Sequence, residues 1–261
     1  SAASSHTAQT ITAAGVETIN INSDDTAATP TGLVTHVANF TVADAKSIVV
    51  TGDAGLTLTN TTAVKVTSFD ASATKYAVTF TSANTTVGEN VTIKGGAGND
   101  ILTGSANAND TIIGGLGIDT ITYNGGKDSL TGGAGVDKFV VTAVGSKASY
   151  VTIEDIAKGE TIDLVGITAG LATGNLSAAK LTVAAGTSLD TALNTATAGT
   201  AGTATAAVIK WFQLDGNTYI VADRSANTSF NDGTDAVIKL AGLVDLSTAT
   251  TTSTTDLITI A

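Results

Sequence analysis

Between residues 95 and 140 the chain repeats itself every nine residues, and no other feature constrains its fold as tightly. The units begin at 95, 104, 114, 123 and 132, with one inserted residue in the second. Every unit keeps an Asp (Asp100, Asp110, Asp119, Asp128, Asp137) and, two residues on, a large apolar residue (Leu102, Ile112, Ile121, Leu130, Phe139). Glycine permits positive φ and close backbone approach, so the G-G-x-G-x-D half of each unit predicts a tight turn with its carbonyl oxygens outward. The remaining three residues predict a short strand whose one apolar side chain points inward. Two units then make one parallel coil of about 18 residues. Asp100, Asp119 and Asp137 fall on one edge of that coil, and Asp110 and Asp128 on the other.

Stacked turns sit about 5 Å apart, the spacing of neighbouring strands. Two carboxylates at that distance repel by roughly 3 kcal/mol at an effective dielectric near 20. One apolar side chain per unit is too little core to absorb such a cost. A hard cation resolves it. Ca²⁺ takes about six to eight oxygens, which turn carbonyls and one Asp from each of two stacked turns supply, whereas Mg²⁺ demands a tighter octahedron. The candidate metal set is Gly95, Ala97 and Gly98 with Asp100; Gly104 and Ala106 with Asp110; Gly114, Leu116 and Gly117 with Asp119; Gly125 and Gly126 with Asp128; and Gly132, Ala134 and Gly135 with Asp137. Complete inter-turn sites follow for Asp100 with Asp119, Asp119 with Asp137, and Asp110 with Asp128. The stretch does not fit a P-loop, because Ile121 and Asp128 stand where Gly and Ser or Thr are required around Gly126-Lys127. It also lacks the third glycine and the βαβ setting of a dinucleotide site.

Composition agrees with an acidic, all-β, exported chain. Of 23 acidic residues against 12 basic ones, giving a net charge of −11, most are Asp, which favours turns and oxygen-ligand sites over helices. That balance excludes a nucleic-acid or anionic-membrane binder. No apolar run reaches the ~18–20 residues that span a bilayer. With no Cys, disulfides, zinc-thiolate sites and cysteine nucleophiles are all excluded, and the absence of Met suits an exposed extracellular life. The sequence begins at Ser1 with no signal peptide, so either a leader was removed or, as is the expectation, this is a piece of a larger protein exported by another route.

The chain divides into three predicted regions: 1–94, 95–145 and 146–261. In the first, β-branched runs at Val16–Ile21, Ser47–Thr51, Leu56–Leu58, Val64–Thr67, Ala77–Phe80 and Val91–Ile93 alternate with turns at Asn22–Asp25, Gly52–Gly55 and Ser68–Asp70. Stacked solenoid rungs account best for them, with an antiparallel sandwich as the alternative. In the last region, Tyr150–Ile153 and Thr161–Leu164 read as strands, and Ser188–Leu193 as a Ser-capped helical turn. Thr195–Ala206 reads as a low-complexity loop. Val208–Leu214 and Thr218–Ala222 form a hairpin about Asp215-Gly216-Asn217, followed by a polar, mobile tail at Thr248–Thr255.

The nonapeptides resemble those of RTX (repeat-in-toxin) proteins. Gly132–Val140 followed by Ile153–Leu164 resembles the junction between the roll and its C-terminal cap in type I-secreted members of that family. Lys210–Gln213, Tyr219–Val221 and Asp235–Leu243 resemble the C-terminal end of its bacterial surface-layer (S-layer) proteins. The departures are Ser105 for a glycine, the inserted residue, and Tyr123-Asn124 for the opening glycines of the fourth unit, all of which weaken the Asp110/Asp128 edge. The resemblance implies an all-β protein, a calcium-binding parallel β-roll or β-solenoid with a β-rich C-terminal cap, with Ca²⁺ as its cofactor.

No catalytic motif accompanies the repeat. His6 and His36 lie outside any H-E-x-x-H, there is no G-x-S-x-G, and His36 reads as a surface residue, so no enzyme is expected. Trp211, Phe212, Tyr219 and Phe230 read as a satellite core under the hairpin rather than a sugar platform. The expected function is that of the C-terminal part of a secreted cell-surface S-layer protein that folds and assembles with calcium after type I secretion. Its partners would be copies of itself, the type I apparatus and, through an N-terminal part absent from this sequence, cell-surface polysaccharide. The alternative is a calcium-dependent secretion and folding module of an RTX enzyme or adhesin. Asp256–Ala261 reads either as an uncleaved export signal or as an edge strand of the cap.

Overall fold

The structure, a computed structural model, describes all residues except 1–3, 6–8, 26–33, 61–63, 168–175, 200–206 and 253–256. His6, Asp256 and part of the low-complexity loop therefore lie outside the described residues. The chain is nearly all β, a parallel β-solenoid of about six turns with one helix among the described residues. It separates into two compact units, Ser1–Asn124 with Thr131–Asp137, and Gly125–Leu130 with Lys138–Ala261.

The first unit holds β1 (Ser4–Ser5), β2 (Gln9–Thr12), β3 (Thr18–Asn22), β4 (Val34–Thr41), β5 (Ser47–Gly52), β6 (Gly55–Asn60), β7 (Ser68–Thr74), β8 (Val78–Thr81), β9 (Thr92–Lys94), β10 (Ile101–Thr103), β11 (Thr111–Leu116) and β12 (Thr120–Tyr123). Successive strands alternate between two parallel sheets, β4-β6-β8-β10-β12 and β3-β5-β7-β9-β11. The solenoid expected for the N-terminal region is thus present, and its parallel pairing rules out the antiparallel sandwich. Ile101 pairs with Thr120 and Thr92 with Thr111, so rungs in the repeat return after about the predicted 18 residues. Upstream the coils are longer, as in Ser47 pairing with Thr18. Inward residues on both sheets are closed from solvent, among them Ile48, Phe69, Phe80, Ile93, Leu102, Ile112 and Ile121. Phe69 and Phe80 stack across the interior with ring centroids 4.0 Å apart and planes 7° from parallel.

Three local readings are corrected in this unit. Val64–Thr67 is not a strand: Val64-Lys65 forms a turn, and Val66 buries its side chain from the corner that follows. Ser68–Asp70, expected as a turn, opens β7, because Phe69 has to reach the stack with Phe80. The long β4 gave no strand signal because His36 takes the inward position in step with Ala38 and Phe40, where an apolar residue is expected. Pairing with both β2 and β6 satisfies its backbone regardless.

The second unit holds the start of β13 (Ser129–Ala134), then β14 (Lys138–Val141), β15 (Val151–Ile153), β16 (Thr161–Asp163), α1 (Leu189–Thr197), β17 (Val208–Leu214), β18 (Asn217–Asp223), β19 (Ala236–Leu240), β20 (Thr250–Thr252) and β21 (Leu257–Thr259). Parallel pairing of β13 with β15, β14 with β16 and β15 with β19 gives way here to antiparallel pairing. β19-β18-β17 closes one sheet and β16-β21-β20 the other, which is the expected β-rich cap. The hairpin turn is two residues long, Asp215 (φ 49°) and Gly216 (φ 76°), the doubly positive geometry that matches strand twist. Asn217, expected in the turn, pairs with Leu214. The helix is longer than expected and takes in Thr195–Thr197; Ser188 Oγ caps it by accepting from Thr191 N at 3.2 Å. Ala192, Leu193 and Ala196 of that helix pack on Phe212, Tyr219 and Phe230. Phe212 and Tyr219 stack at 5.3 Å, and Trp211 Nε1 donates to Ser177 O at 2.9 Å. Phe212, Tyr219 and Phe230 thus form the expected satellite core, whereas Trp211, the neighbour of Phe212 along β17, is buried outside that cluster. Thr250–Thr252 of the expected mobile tail forms β20, and β21 buries Ile258 against β16.

Because Phe69 and Phe80 are the largest paired side chains in so narrow an interior, Phe80→Ala is expected to cost about 3–5 kcal/mol. Urea titration of the calcium-loaded protein measures this; a cost under ~1 kcal/mol would show that the two sheets do not depend on the stack.

Candidate metal centre

The repeat turns of the first unit stack as their spacing requires. Asp119 Oδ1 accepts from Asp100 N at 2.7 Å, and Asp137 Oδ1 accepts from Asp119 N at 2.8 Å. Asp100 repeats the contact one coil earlier, accepting from Val78 N at 2.7 Å. Asp100, Asp119 and Asp137 are therefore brought together on one edge, each almost wholly buried. The sequence reading missed that one oxygen of each carboxylate caps a backbone amide in the preceding turn. The hydrogen bonds fix the rotamer; the second oxygen of Asp100 accepts from Gly96 N at 2.7 Å, while that of Asp119 accepts no hydrogen bond.

That second oxygen lies beneath the first glycine of its unit. A Cβ on Gly114 would collide with Asp119 Oδ2 and lie 2.5 Å from Gly132 O. Gly95 and Gly132 meet the carboxylates of Asp100 and Asp137 in the same way. The glycines are thus needed less for turn flexibility than to admit a carboxylate oxygen beside a carbonyl of the next turn. Gly115 and Gly117, at φ +122° and +118°, do need the left-handed region, and their neighbours Gly96 and Gly98 present carbonyls to them.

Asp119 is the focus of the edge. Its Oδ2 is buried and accepts no hydrogen bond. Burial pushes its carboxyl up to about 7 against the Asp100 N–H bond that lowers it, and the charges of Asp100 and Asp137 add to the rise. Burial likewise raises Asp100 to about 6, opposed by its bonds from Gly96 N and Val78 N. Among the described residues no three His, Cys, Asp or Glu side chains converge as a cage. A cation held here would therefore take two carboxylates at most and fill its shell with turn carbonyls. An all-oxygen donor set of carboxylate and carbonyl suits Ca²⁺. The residues fit the ion: one between Asp100 and Asp119, or between Asp119 and Asp137, would be held by that pair with carbonyls drawn from Gly95, Gly98, Gly114, Gly117, Gly132 and Gly135, and would neutralise the edge. Ala97, Leu116 and Ala134 sit exposed at the turn tips, and Ala134 O already accepts from Gly117 N at 2.8 Å.

The other edge is built differently. Asp110 Oδ1 accepts from Val91 N at 2.8 Å, while its Oδ2 accepts from Ser105 N at 2.6 Å and Ser105 Oγ at 2.8 Å. The hydroxyl that replaces a glycine here thus occupies the oxygen that remains unbonded in Asp119. Gly104 is buried and Ala106 exposed beside it. In the second unit Asp128 is buried at the end of the Gly125-Gly126 turn, whose φ values are 141° and 93°. Tyr123, in place of an opening glycine, turns its ring into the core of the first unit. His36 is half-buried rather than a surface residue, with Nδ1 2.8 Å from Ser23 Oγ.

Stacked glycine turns, each burying an aspartate beside a carbonyl, define a calcium-type parallel β-roll. More narrowly, a family model for the RTX calcium-binding nonapeptide repeat (4 copies) matches residues 88–109 and 106–139, so this segment carries RTX calcium-binding repeats. The match spans about a fifth of the 261-residue chain. No curated protein matches the chain. Proteins with such repeats are typically secreted, and among the described residues no helix is long and apolar enough to cross a membrane.

The raised carboxyls fix the sign of the pH response without metal. The folded roll binds more protons than the unfolded chain wherever Asp100 and Asp119 titrate above the ordinary 3.8. This contribution is full below about pH 4 and lost as pH rises through about 6 to 7. In chelator, the melting temperature should therefore be higher at pH 5 than at pH 7.5, and calcium should reverse the order. Asp119→Asn, which keeps an acceptor for Asp100 N, should melt higher than the parent in chelator at pH 7.5 yet gain less from calcium. An unchanged calcium response in this variant would remove Asp119 from the ligand set.

Proposed function

We propose that this chain is part of a self-assembling bacterial S-layer protein: a structural, non-enzymatic coat component exported by a type I apparatus and folded by calcium outside the cell. The observation that carries the reading is Asp119, buried with Oδ2 unbonded between two other aspartates. A roll built on such a carboxylate is destabilised until a cation arrives, so binding free energy becomes folding free energy. Extracellular calcium modules bind at about 10⁻⁴ to 10⁻³ M. The chain would remain loose in the calcium-poor cytosol and close after export.

The coat role is supported by the N-terminal rungs, which carry the repeat's two-sheet register upstream through β4–β8. Such a surface offers long parallel arrays for copies of the chain to pack along, and cell-surface polysaccharide would anchor them. Asp256–Ala261 would act as the export signal while the chain is unfolded. Once folded, Leu257–Thr259 is β21, with Ile258 buried, so the two roles occur at different times.

Circular dichroism in chelator and then in millimolar calcium is expected to show β signal rising with calcium; an unchanged spectrum would sink calcium-coupled folding. Negative-stain microscopy of the calcium-loaded chain is expected to show sheets or lattices. Monodisperse particles at high protein concentration, with calcium-dependent folding intact, would favour the module of a secreted enzyme or adhesin. Deleting Asp256–Ala261 should stop export and also lower the melting temperature, because the strand between β16 and β20 is lost; normal export would leave only the strand.

A further inference from the structure

The carboxylate edge of the first unit ends at a turn of opposite character. Ile101 pairs with Thr79 and Ala97 N donates to Thr74 O at 3.0 Å. Lys75, Tyr76 and Val78 therefore stand opposite Ala97, Gly98 and Asp100. Where the next carboxylate would stand there is a valine, and where the small turn residues would stand there are a lysine and a tyrosine. Beside this substitution lies a cleft of about 330 Å³, lined by Thr35, Lys75, Tyr76, Ala77, Gly98 and Asn99 among others. That volume falls at the small end of small-molecule sites.

The cleft brings a lysine and a side-chain amide together among its lining residues. Of the four lysines in this unit, Lys46 pairs with Glu17 at 2.6 Å, Lys65 with Asp44 at 3.0 Å, and Lys94 with Asp70 at 3.6 Å. Lys75 alone has no carboxylate partner among the described residues, although the chain carries a net charge of −11. Asn99 spends its Oδ1 on Ile118 N at 2.9 Å, and its Nδ2 donates to nothing among the described residues. The exposed Lys75, the half-buried Tyr76 and Asn99, with its spare amide N–H, thus line one cleft. A cation is excluded by Lys75, and a dianionic phosphate would find only one positive charge and no helix N-terminus. One ammonium matches one carboxylate. The tyrosine face suits the C–H face of a pyranose ring, and the amide and hydroxyl donors suit its oxygens.

We propose that this cleft is a binding site for an acidic sugar of the uronate type, with Lys75 pairing the carboxylate, Tyr76 stacking the ring and Asn99 Nδ2 donating to a ring substituent. The site rests on the cleft alone and stands whether or not the chain forms a coat.

Methyl glucuronide and its neutral counterpart methyl glucoside are the probes, since monosaccharides compete little for calcium. Amide shifts of the calcium-loaded full chain are followed by NMR, with inorganic phosphate in a separate arm. The expected result is saturable shifts confined to residues near 75–77 and 97–99 for the glucuronide, at least tenfold weaker binding of the glucoside, and weakening with salt. Lys75→Gln should weaken glucuronide at least tenfold and Tyr76→Leu several-fold, each with an unchanged spectrum elsewhere. Lys46→Gln, outside the cleft, should bind as the parent does. Equal binding by Lys75→Gln and parent, or no shifts with the glucuronide, would overturn the proposal. Phosphate binding as tightly as the glucuronide would show a general anion site and overturn the sugar assignment.

Discussion

A carboxylate buried beneath a glycine turn is the constraint around which the rest of the roll is arranged. Desolvating Asp119 favours its neutral form, two like neighbours add to that preference, and only the Asp100 amide opposes it. The glycines are the geometric counterpart. Any Cβ at Gly95, Gly114 or Gly132 would occupy the space that the carboxylate oxygen takes. The unit therefore cannot be relaxed one residue at a time: losing the glycine expels the acid, and losing the acid leaves a backbone amide of the preceding turn uncapped.

The two edges show how one side chain alters this balance. Under Gly114 the carboxylate keeps an unbonded oxygen, whereas beside Ser105 both oxygens of Asp110 are engaged by protein donors. A serine hydroxyl thus does part of what a cation does, at the expense of an acceptor. At the upstream end of the first edge, Val78 removes the carboxylate altogether and Lys75 reverses the local charge. The edge is bounded by sequence rather than by a change of backbone, since Thr79 still pairs in register with Ile101.

The strictly periodic part of this architecture was legible from residue type alone. An Asp and one large apolar residue in every unit, with a glycine pair opening alternate units, predict the turn, the inward side chain and the stacking edge, and Leu102, Ile112 and Ile121 are all sealed inside. The hairpin was legible because Asp215-Gly216 is a local geometric instruction. What escaped was decided by partners distant in the chain. β4 carries His36 at an inward position yet forms because two strands flank it. Ser68–Asp70 looks like a turn until Phe80 supplies a ring for Phe69 to stack upon. At the candidate centre, residue types named the carboxylates, but only the folded turns show that Asp100, Asp119 and Asp137 each spend one oxygen on an amide of the preceding turn. The donor cleft was invisible because Lys75 and Tyr76 carry no motif; their meaning comes from the turn they lie against.

The parallel register of the first unit has a bearing on how such a chain changes over generations. Each rung touches only the rung before and the rung after, and within the repeat each returns to the same place after one coil. Duplicating or deleting a whole coil in the gene would lengthen or shorten the unit by one strand spacing, about 4.8 Å, and leave both terminal rungs unaltered. Loss of part of a coil would instead rotate every later side chain out of phase. Length is therefore a heritable dimension of this fold, adjustable in steps set by the backbone's own hydrogen-bond spacing.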